Sequence, residues 1–419
     1  MLRKIILIVL LLGLAGGAVW YFVIRKNTST PATTEQGFKS FFPLNGGSTI
    51  KDETQGGGTT NDTTQNTNNT ITKSRFTKVT NSAVAGYKVY TTTKTITIPN
   101  PIPKQKPTTQ TITDHFIRYV SRQSGFVYEI KNKDLPVQIS NIFIPNIYEA
   151  SFLDNNNTAL LRYLQSDNKT IGTYTVPIPP ENTDGSRTQK QGVFFVNNIL
   201  TFAPSPDSKE LAELTVKSGV ATINTVNSVE KQKKELLVSP LKEWIISWPQ
   251  SKTLYLQTKA AGTVEGFLYK VDRTERRLRR VVGNVLGMTT LVSPSGEYVI
   301  YSESQGKSFK TKILNTKTGG VKTIGLSILP EKCTWLKNED LICAGNTSVP
   351  EGVYPDAWYA GLVTFSDGLY HIYTQNNVFD VIYDNSNESF DMTNIQVDEE
   401  TNELYFINKT TGSLWKTSL

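Results

Sequence analysis

The chain has 419 residues, of which 19% are charged, and a formal net charge of +7. Four of those positive charges are Arg3, Lys4, Arg25 and Lys26, which flank one hydrophobic segment. Residues 27–419 therefore carry only +3, too little to drive binding to nucleic acid or anionic lipid. Abundant Thr, Asn, Tyr, Ile and Val favour strands over helices.

Residues 5–24 form an uncharged, largely apolar run of 20. At about 1.5 Å per residue it spans roughly 30 Å, the thickness of a hydrocarbon core. Trp20 and Tyr21 fall where interfacial aromatics belong. The run continues past the small residues Gly16, Gly17 and Ala18, which favours an uncleaved signal anchor over a cleaved signal peptide. No cysteine lies near it to carry a lipid. The expectation is a single-pass plasma-membrane protein, anchor at 1–26, with the C-terminal domain extracytoplasmic.

Residues 27–74 read as a flexible tether. Within 45–70, 18 of 26 residues are Thr, Asn or Gly, and such a segment buries too little apolar surface to offset its ordering entropy. A coil of that length reaches about 35–40 Å. Phe38, Phe41, Phe42 and Leu44 interrupt it.

From residue 75 the chain repeats itself. Strand–turn–strand units recur at 152–161, 202–211, 248–256, 292–299, 335–342 and 397–405. A second hairpin with Gly in its turn follows at 117–128, 298–309 and 404–415, and a third turn at 272–282 and 315–324. Four short antiparallel strands every 40–50 residues suggest propeller blades. Residues 75–419 hold about seven such units, with six or eight also compatible. The last unit stops after three strands, while residues 75–79 look like an isolated fourth one. The N-terminal strand is therefore expected to close the last blade. Residues 83–90 would be the first strand of the first blade.

The turns Ser-Pro-Asp-Ser at 205–208 and Ser-Pro-Ser-Gly at 293–296, each leading into a strand, resemble the repeats of TolB-like and WD-type β-propellers. Hallmark WD dipeptides are missing, so TolB-like is the nearer label. Arg118-Tyr119, the segments 125–129 and 354–359, and 406–409, together with the anchor and tether, look like membrane-anchored propellers of small-genome bacteria. The resemblance covers residues 75–419, implies the fold, and brings no activity with it.

Catalytic and metal chemistry finds little support. Two histidines, His115 and His371, are each expected within a strand, and cannot build a His-rich metal site. No Gly-x-Ser-x-Gly elbow occurs, and Gly306-Lys307-Ser308 sits in a hairpin turn, without the earlier Gly of a phosphate loop. No cofactor is expected. If Trp335 pairs with Leu341, Cys333 falls opposite Cys343. The two are then either a disulfide, plausible after export, or two small buried hydrophobes.

Two binding candidates remain. Arg273, Arg276, Arg277, Arg279 and Arg280 belong to a third turn and fourth strand. They read as a charged rim that blocks edge pairing, or as a contact for acidic cell-wall polymer or lipid headgroups. Tyr354, Asp356, Trp358 and Tyr359 follow a long irregular segment and have the composition of an interface hot spot; the competing view is that Trp358 and Tyr359 begin a strand and pack in the core. The reading is a binding or scaffolding propeller of the cell envelope, with a protein or cell-wall polymer as partner. The rival is a glycan- or lactone-acting propeller enzyme with acids around its central channel.

Overall fold

The computed structural model describes residues 74–98, 108–182, 184–227, 232–376 and 378–419. The expected anchor and nearly all of the tether lie outside them. Among the described residues no helix is long and apolar enough to cross a membrane. Residues 359–361 fall outside the compact unit described below.

Seven four-stranded antiparallel sheets make up this unit. Sheet 1 holds β2 (Val84–Ile98), β3 (Thr108–Ser121), β4 (Val127–Lys131) and β5 (Val137–Gln138). Sheet 2 holds β6 (Ile147–Leu153), β7 (Thr158–Leu164), β8 (Ile171–Pro177) and β9 (Val193–Phe194). In sheet 3 are β10 (Ile199–Pro204), β11 (Glu210–Lys217), β12 (Val220–Asn227) and β13 (Lys233–Ser239). Sheet 4 comprises β14 (Trp244–Gln250), β15 (Thr253–Thr258), β16 (Glu265–Asp272) and β17 (Leu278–Leu286). Next comes sheet 5, with β18 (Thr290–Val292), β19 (Tyr298–Ser304), β20 (Phe309–Asn315) and β21 (Val321–Ile324). Sheet 6 has β22 (Cys333–Trp335), β23 (Leu341–Gly345), β24 (Gly368–Tyr373) and β25 (Val378–Tyr383). The seventh is β26 (Met392–Asp398), β27 (Glu403–Asn408), β28 (Leu414–Ser418) and, outermost, β1 (Thr77–Lys78).

The N-terminal strand thus completes the last sheet, pairing Thr77 with Lys416 and Lys78 with Trp415. Second strands are the hydrophobic heart of their sheets: β23 is buried at every residue and β27 at all but the first. Fourth strands such as β17 and β25 are mostly exposed, as edge strands must be. In the second turns, Gly125, Gly306 and Gly412 take φ of 73°, 77° and 69°, a left-handed backbone that explains the recurring Gly.

Each sheet packs on the next through its own apolar cluster. Val120 and Val127 of sheet 1 meet Phe152 and Leu161 of sheet 2, Leu160 meets Leu211, Leu214 and Ile223 meet Trp244 and Leu256. The series runs on through Tyr255 with Tyr301, Ile313 with Cys343 and Ile342 with Phe406. It ends with Tyr405 and Ile407 of sheet 7 against Tyr87 and Tyr119 of sheet 1. Seven sheets, each packed on the next and the last on the first, fit a seven-bladed propeller.

Antiparallel order puts the first and third turns of every sheet on one face, and the second turn and the link to the next sheet on the other. Neighbouring sheets touch around that face through turns and strand ends. Arg118 reaches Asn156 O, and Asp154 N donates to Ser208 O at 2.6 Å. Arg273 Nη2 meets Glu210 at 2.7 Å, and Gln250 donates to Ser295 O. Ser295 N donates to Glu339 at 2.7 Å, Lys337 N to Glu399 at 3.0 Å, and His115 Nδ1 lies 2.8 Å from Asp398 Oδ2.

One strand differs from expectation. β2 does not stop near residue 90 but continues to Ile98, in register with β3 back to Thr108. Its outer half is a two-stranded ribbon with Thr93, Thr95 and Thr97 opposite Thr113, Thr111 and Thr109. With no sheet neighbour, it shows no apolar alternation to read.

Candidate functional site

The third turn of sheet 4 is built by Asp272. Its Oδ1 accepts hydrogen bonds from Thr274 N at 2.7 Å and Glu275 N at 3.0 Å. These backbone donors, Glu275 first, hold the carboxyl below its usual range. Arg276 takes the left-handed conformation (φ 55°) that turns the chain into β17. The turn therefore presents a fixed fan of arginines on the first-turn face.

Those arginines divide by role. Arg273 is a structural pin: it bonds Glu210 of sheet 3 and lies 4.8 Å over the Trp248 ring. Arg279 pairs with Glu275 one helical-turn spacing away, at 2.6 Å. Arg276, Arg277 and Arg280 are exposed and make no ion pair among the described residues. Beside them a cleft of about 380 Å³ opens between sheets 3 and 4. Thr225 and Leu236 floor it, while Lys234, Lys252 and Arg276 stand on its rim with Glu235 as the one acid. A second cleft of about 380 Å³ lies between sheets 4 and 5. There the charges are balanced: Lys317 pairs with Glu297 and Arg279 with Glu275. Of these two clefts, the first has cations in clear excess.

The segment from Gly345 to Gly368 is placed differently from the recognition reading. Tyr354 is 1% exposed and Trp358 4%, so both rings are core and cannot anchor a partner. Tyr354 Oη donates to Pro350 O at 2.5 Å, and its ring packs on Phe309 and Phe365. Trp358 Nε1 donates to both oxygens of Asp391 at 3.0 Å. Nor does Trp358 begin a strand: it lies in the helical turn Asp356–Tyr359. Asp356 is exposed and accepts from Gly262 N at 2.6 Å, while Tyr359 lies outside this unit. The segment crosses sheet 5, where Glu351 pairs with Lys307 at 2.8 Å, to reach sheet 4. Gly262 and Gly287 admit it, since a Cβ at either would meet Tyr354 O within about 2.5 Å. Tyr354 and Trp358 thus belong to a strap packed into the core, and their rings are not hot-spot anchors.

Cys333 and Cys343 are bridged, opposite each other in the register that pairs Trp335 with Leu341. The first strands, which approach one another from sheet to sheet, carry two acids, Glu149 and Asp398. The first is held by Arg162, the second by His115. Among the described residues no cluster of His, Cys, Asp and Glu could hold a metal.

Sequence reasoning missed Lys234 and Lys252, which join the arginines only through the fold. It also missed a buried ionic cluster of Lys332, Asp367 and Asp391 beneath the strap.

Seven closed four-stranded sheets define the class as a β-propeller. No family model matches the chain, and no curated protein does. Among solved structures it is similar to an oligogalacturonate lyase in complex with manganese (9% identity, 80% of this chain and 98% of that one, TM-score 0.48). It is similar too to the Myceliophteria thermophila Cps50 (Swd1) β-propeller domain (12%, 73% and 93%, 0.45). TolB from Acinetobacter baumannii also matches (12%, 73% and 76%, 0.40). The match to the tricorn protease spans 32% of that chain.

Proposed function

We propose that the protein is a membrane-tethered, extracytoplasmic binding module that holds an acidic polymer of the cell envelope. The ligand would lie in the cleft between sheets 3 and 4. The observation that carries this reading is the excess of exposed, unneutralised cations there: Lys234, Lys252 and Arg276, with Arg277 next to Arg276 in the chain. Cations that already have carboxylate partners add little attraction for a new anion; these keep theirs. The apolar run at 5–24 and the Thr/Asn/Gly-rich segment after it supply anchor and reach. The Cys333–Cys343 bridge supports an oxidising compartment.

The test uses full-length protein in detergent micelles and immobilised anionic wall polymer. Lys234→Glu/Lys252→Glu/Arg276→Glu should weaken binding about tenfold or more at low salt, or ~1.4 kcal/mol, and added salt should erase the difference. Lys307→Glu, on the opposite face, is the control. Equal loss from the control, or salt-insensitive binding by wild type, would refute the reading.

A further inference from the structure

Beneath the strap, three ionisable side chains meet out of reach of water. Lys332 ends the short 3-10 turn Pro330–Lys332 that leads into β22, and its side chain is 0% exposed. Its Nζ lies 2.5 Å from Asp391 Oδ1 and 2.8 Å from Asp367 Oδ2, and both carboxyls are as deeply buried. The Trp358 and Phe365 rings flank the amine, each centroid 5.0 Å away. Each carboxyl has its own donors. Asp391 accepts from Trp358 Nε1 and, at 3.2 Å, from Phe365 N. Asp367 accepts from Met392 N at 2.7 Å and Asn346 Nδ2 at 3.2 Å. Two carboxyls face this one amine, and the next cation is the half-buried Lys409, whose Nζ lies 4.9 Å from the Trp358 ring. Burial first, and then the neighbouring Asp391, push the Asp367 carboxyl up to about 6 against the pull of Lys332.

We propose that Lys332 and Asp391 condense to an intramolecular amide, with Asp367 as the proton relay. The step starts from the form with a proton on Asp367, which gains population as pH falls toward about 6: an ammonium, the Asp391 carboxylate and the Asp367 acid. The ammonium gives one proton to Asp391, leaving a neutral amine beside a neutral acid. Nζ attacks Cγ of Asp391, and the oxygen that becomes an oxyanion faces the Trp358 and Phe365 N–H donors. Asp367 takes a proton from Nζ and gives its own to the departing hydroxyl. One C–N bond forms, one C–O bond breaks, one water leaves, and Asp367 ends as the acid it began. No oxidant or further reactant is needed.

The site favours this step for physical reasons. In water the separated ions are well solvated; here that solvation is gone, so the neutral amide is preferred. The reacting groups are held in contact, which removes the encounter cost. Asp391 is the acceptor because its Oδ1 is the nearer to Nζ, 2.5 Å against 2.8 Å, and because Trp358 Nε1 and Phe365 N converge on its single other oxygen, whereas the donors to Asp367 are split between its two. The bond would span 59 residues, joining the start of sheet 6 to the start of sheet 7 beside the Cys333–Cys343 bridge.

The test is the intact mass of the reduced full-length protein. Expected is a mass short by one water, with a branched peptide linking Lys332 to Asp391 and no tryptic cleavage after Lys332. Asp367→Asn, which keeps the side chain's size but replaces one accepting oxygen by an NH2, should recover the missing water while retaining the wild-type circular dichroism spectrum. A full-mass wild type cleaved normally at Lys332 overturns the proposal. So does a branch to Asp367, or an Asp367→Asn variant that still cross-links completely. The wild-type measurement decides even if a variant does not fold.

Discussion

The N-terminal segment closes the ring through backbone pairing, Arg75 and Thr80 hydrogen bonds, and one buried ring, and removal of that ring is a direct test of its apolar share. β1 contributes only two paired residues, both exposed. Phe76, just before them, is 4% exposed and fits between sheets 6 and 7. Its ring lies 4.9 Å from Tyr383, 4.7 Å from Phe390 and 5.8 Å from Phe406. Phe76→Ala removes the ring and leaves a cavity that three rigid aromatics cannot collapse to fill. The expected cost is about 3–5 kcal/mol, the upper end if the edge-to-face contacts, each ~0.5–1.5 kcal/mol, are lost in full. Thr77→Ala, one residue on and exposed, should stay within about 0.5 kcal/mol. Urea denaturation of the full-length chain, followed by tryptophan fluorescence, reads both. A loss below about 1 kcal/mol for Phe76→Ala would refute the reading that the Phe76 ring is a principal part of the closure.

Trp358→Ala should also cost about 3–5 kcal/mol in the same assay, and Trp358→Phe, which removes the N–H to Asp391 and part of the ring, about 1–3 kcal/mol; a neutral Trp358→Ala would return that ring to the recognition reading. Replacing Cys333 and Cys343 together by Ala should cost roughly 2.5–3 kcal/mol by loop entropy, and reductant should bring wild type to the same midpoint. Burial raises the Asp398 carboxyl, but the His115 hydrogen bond and the Glu400 and Thr401 backbone donors outweigh it and hold it below the usual value. A depressed acid stabilises above its unfolded pKa and loses that contribution as pH falls. Asp398→Asn should therefore be less stable than wild type near neutral pH, and the gap should close below about pH 4; a gap constant with pH would refute the linkage.

The sequence announced most of the sheets because their first hairpins repeat a local pattern. Phe152, Trp248 and Trp335 each precede a polar turn and an apolar strand, and that information sits within ten residues. Closure was legible for a similar reason: the chain ends one strand short at Leu419 and begins with one to spare at Phe76. Where the reading failed, the deciding partner was far away in sequence. Trp358 looked like a hot spot because its own neighbours, Pro355 and Asp356, suggest a surface loop; its true partner is Asp391, 33 residues on. Lys332 gave no signal at all, since a lysine is expected to reach water, and only the fold sets Asp367 and Asp391 against it. The ribbon was missed for the opposite reason. Thr91 to Ile98 bury nothing beyond the hairpin, so no face imposes an alternation, and a strand held only by its partner reads as a loop. The cationic cleft falls between these cases. Its arginines are adjacent in sequence and were read, whereas Lys234 and Lys252 reach the same rim from another strand and another turn. A site assembled from two sheets is visible from one of them only in part. The decisive variants are therefore the two lysines, because losing them leaves the arginine run intact and isolates what the fold adds.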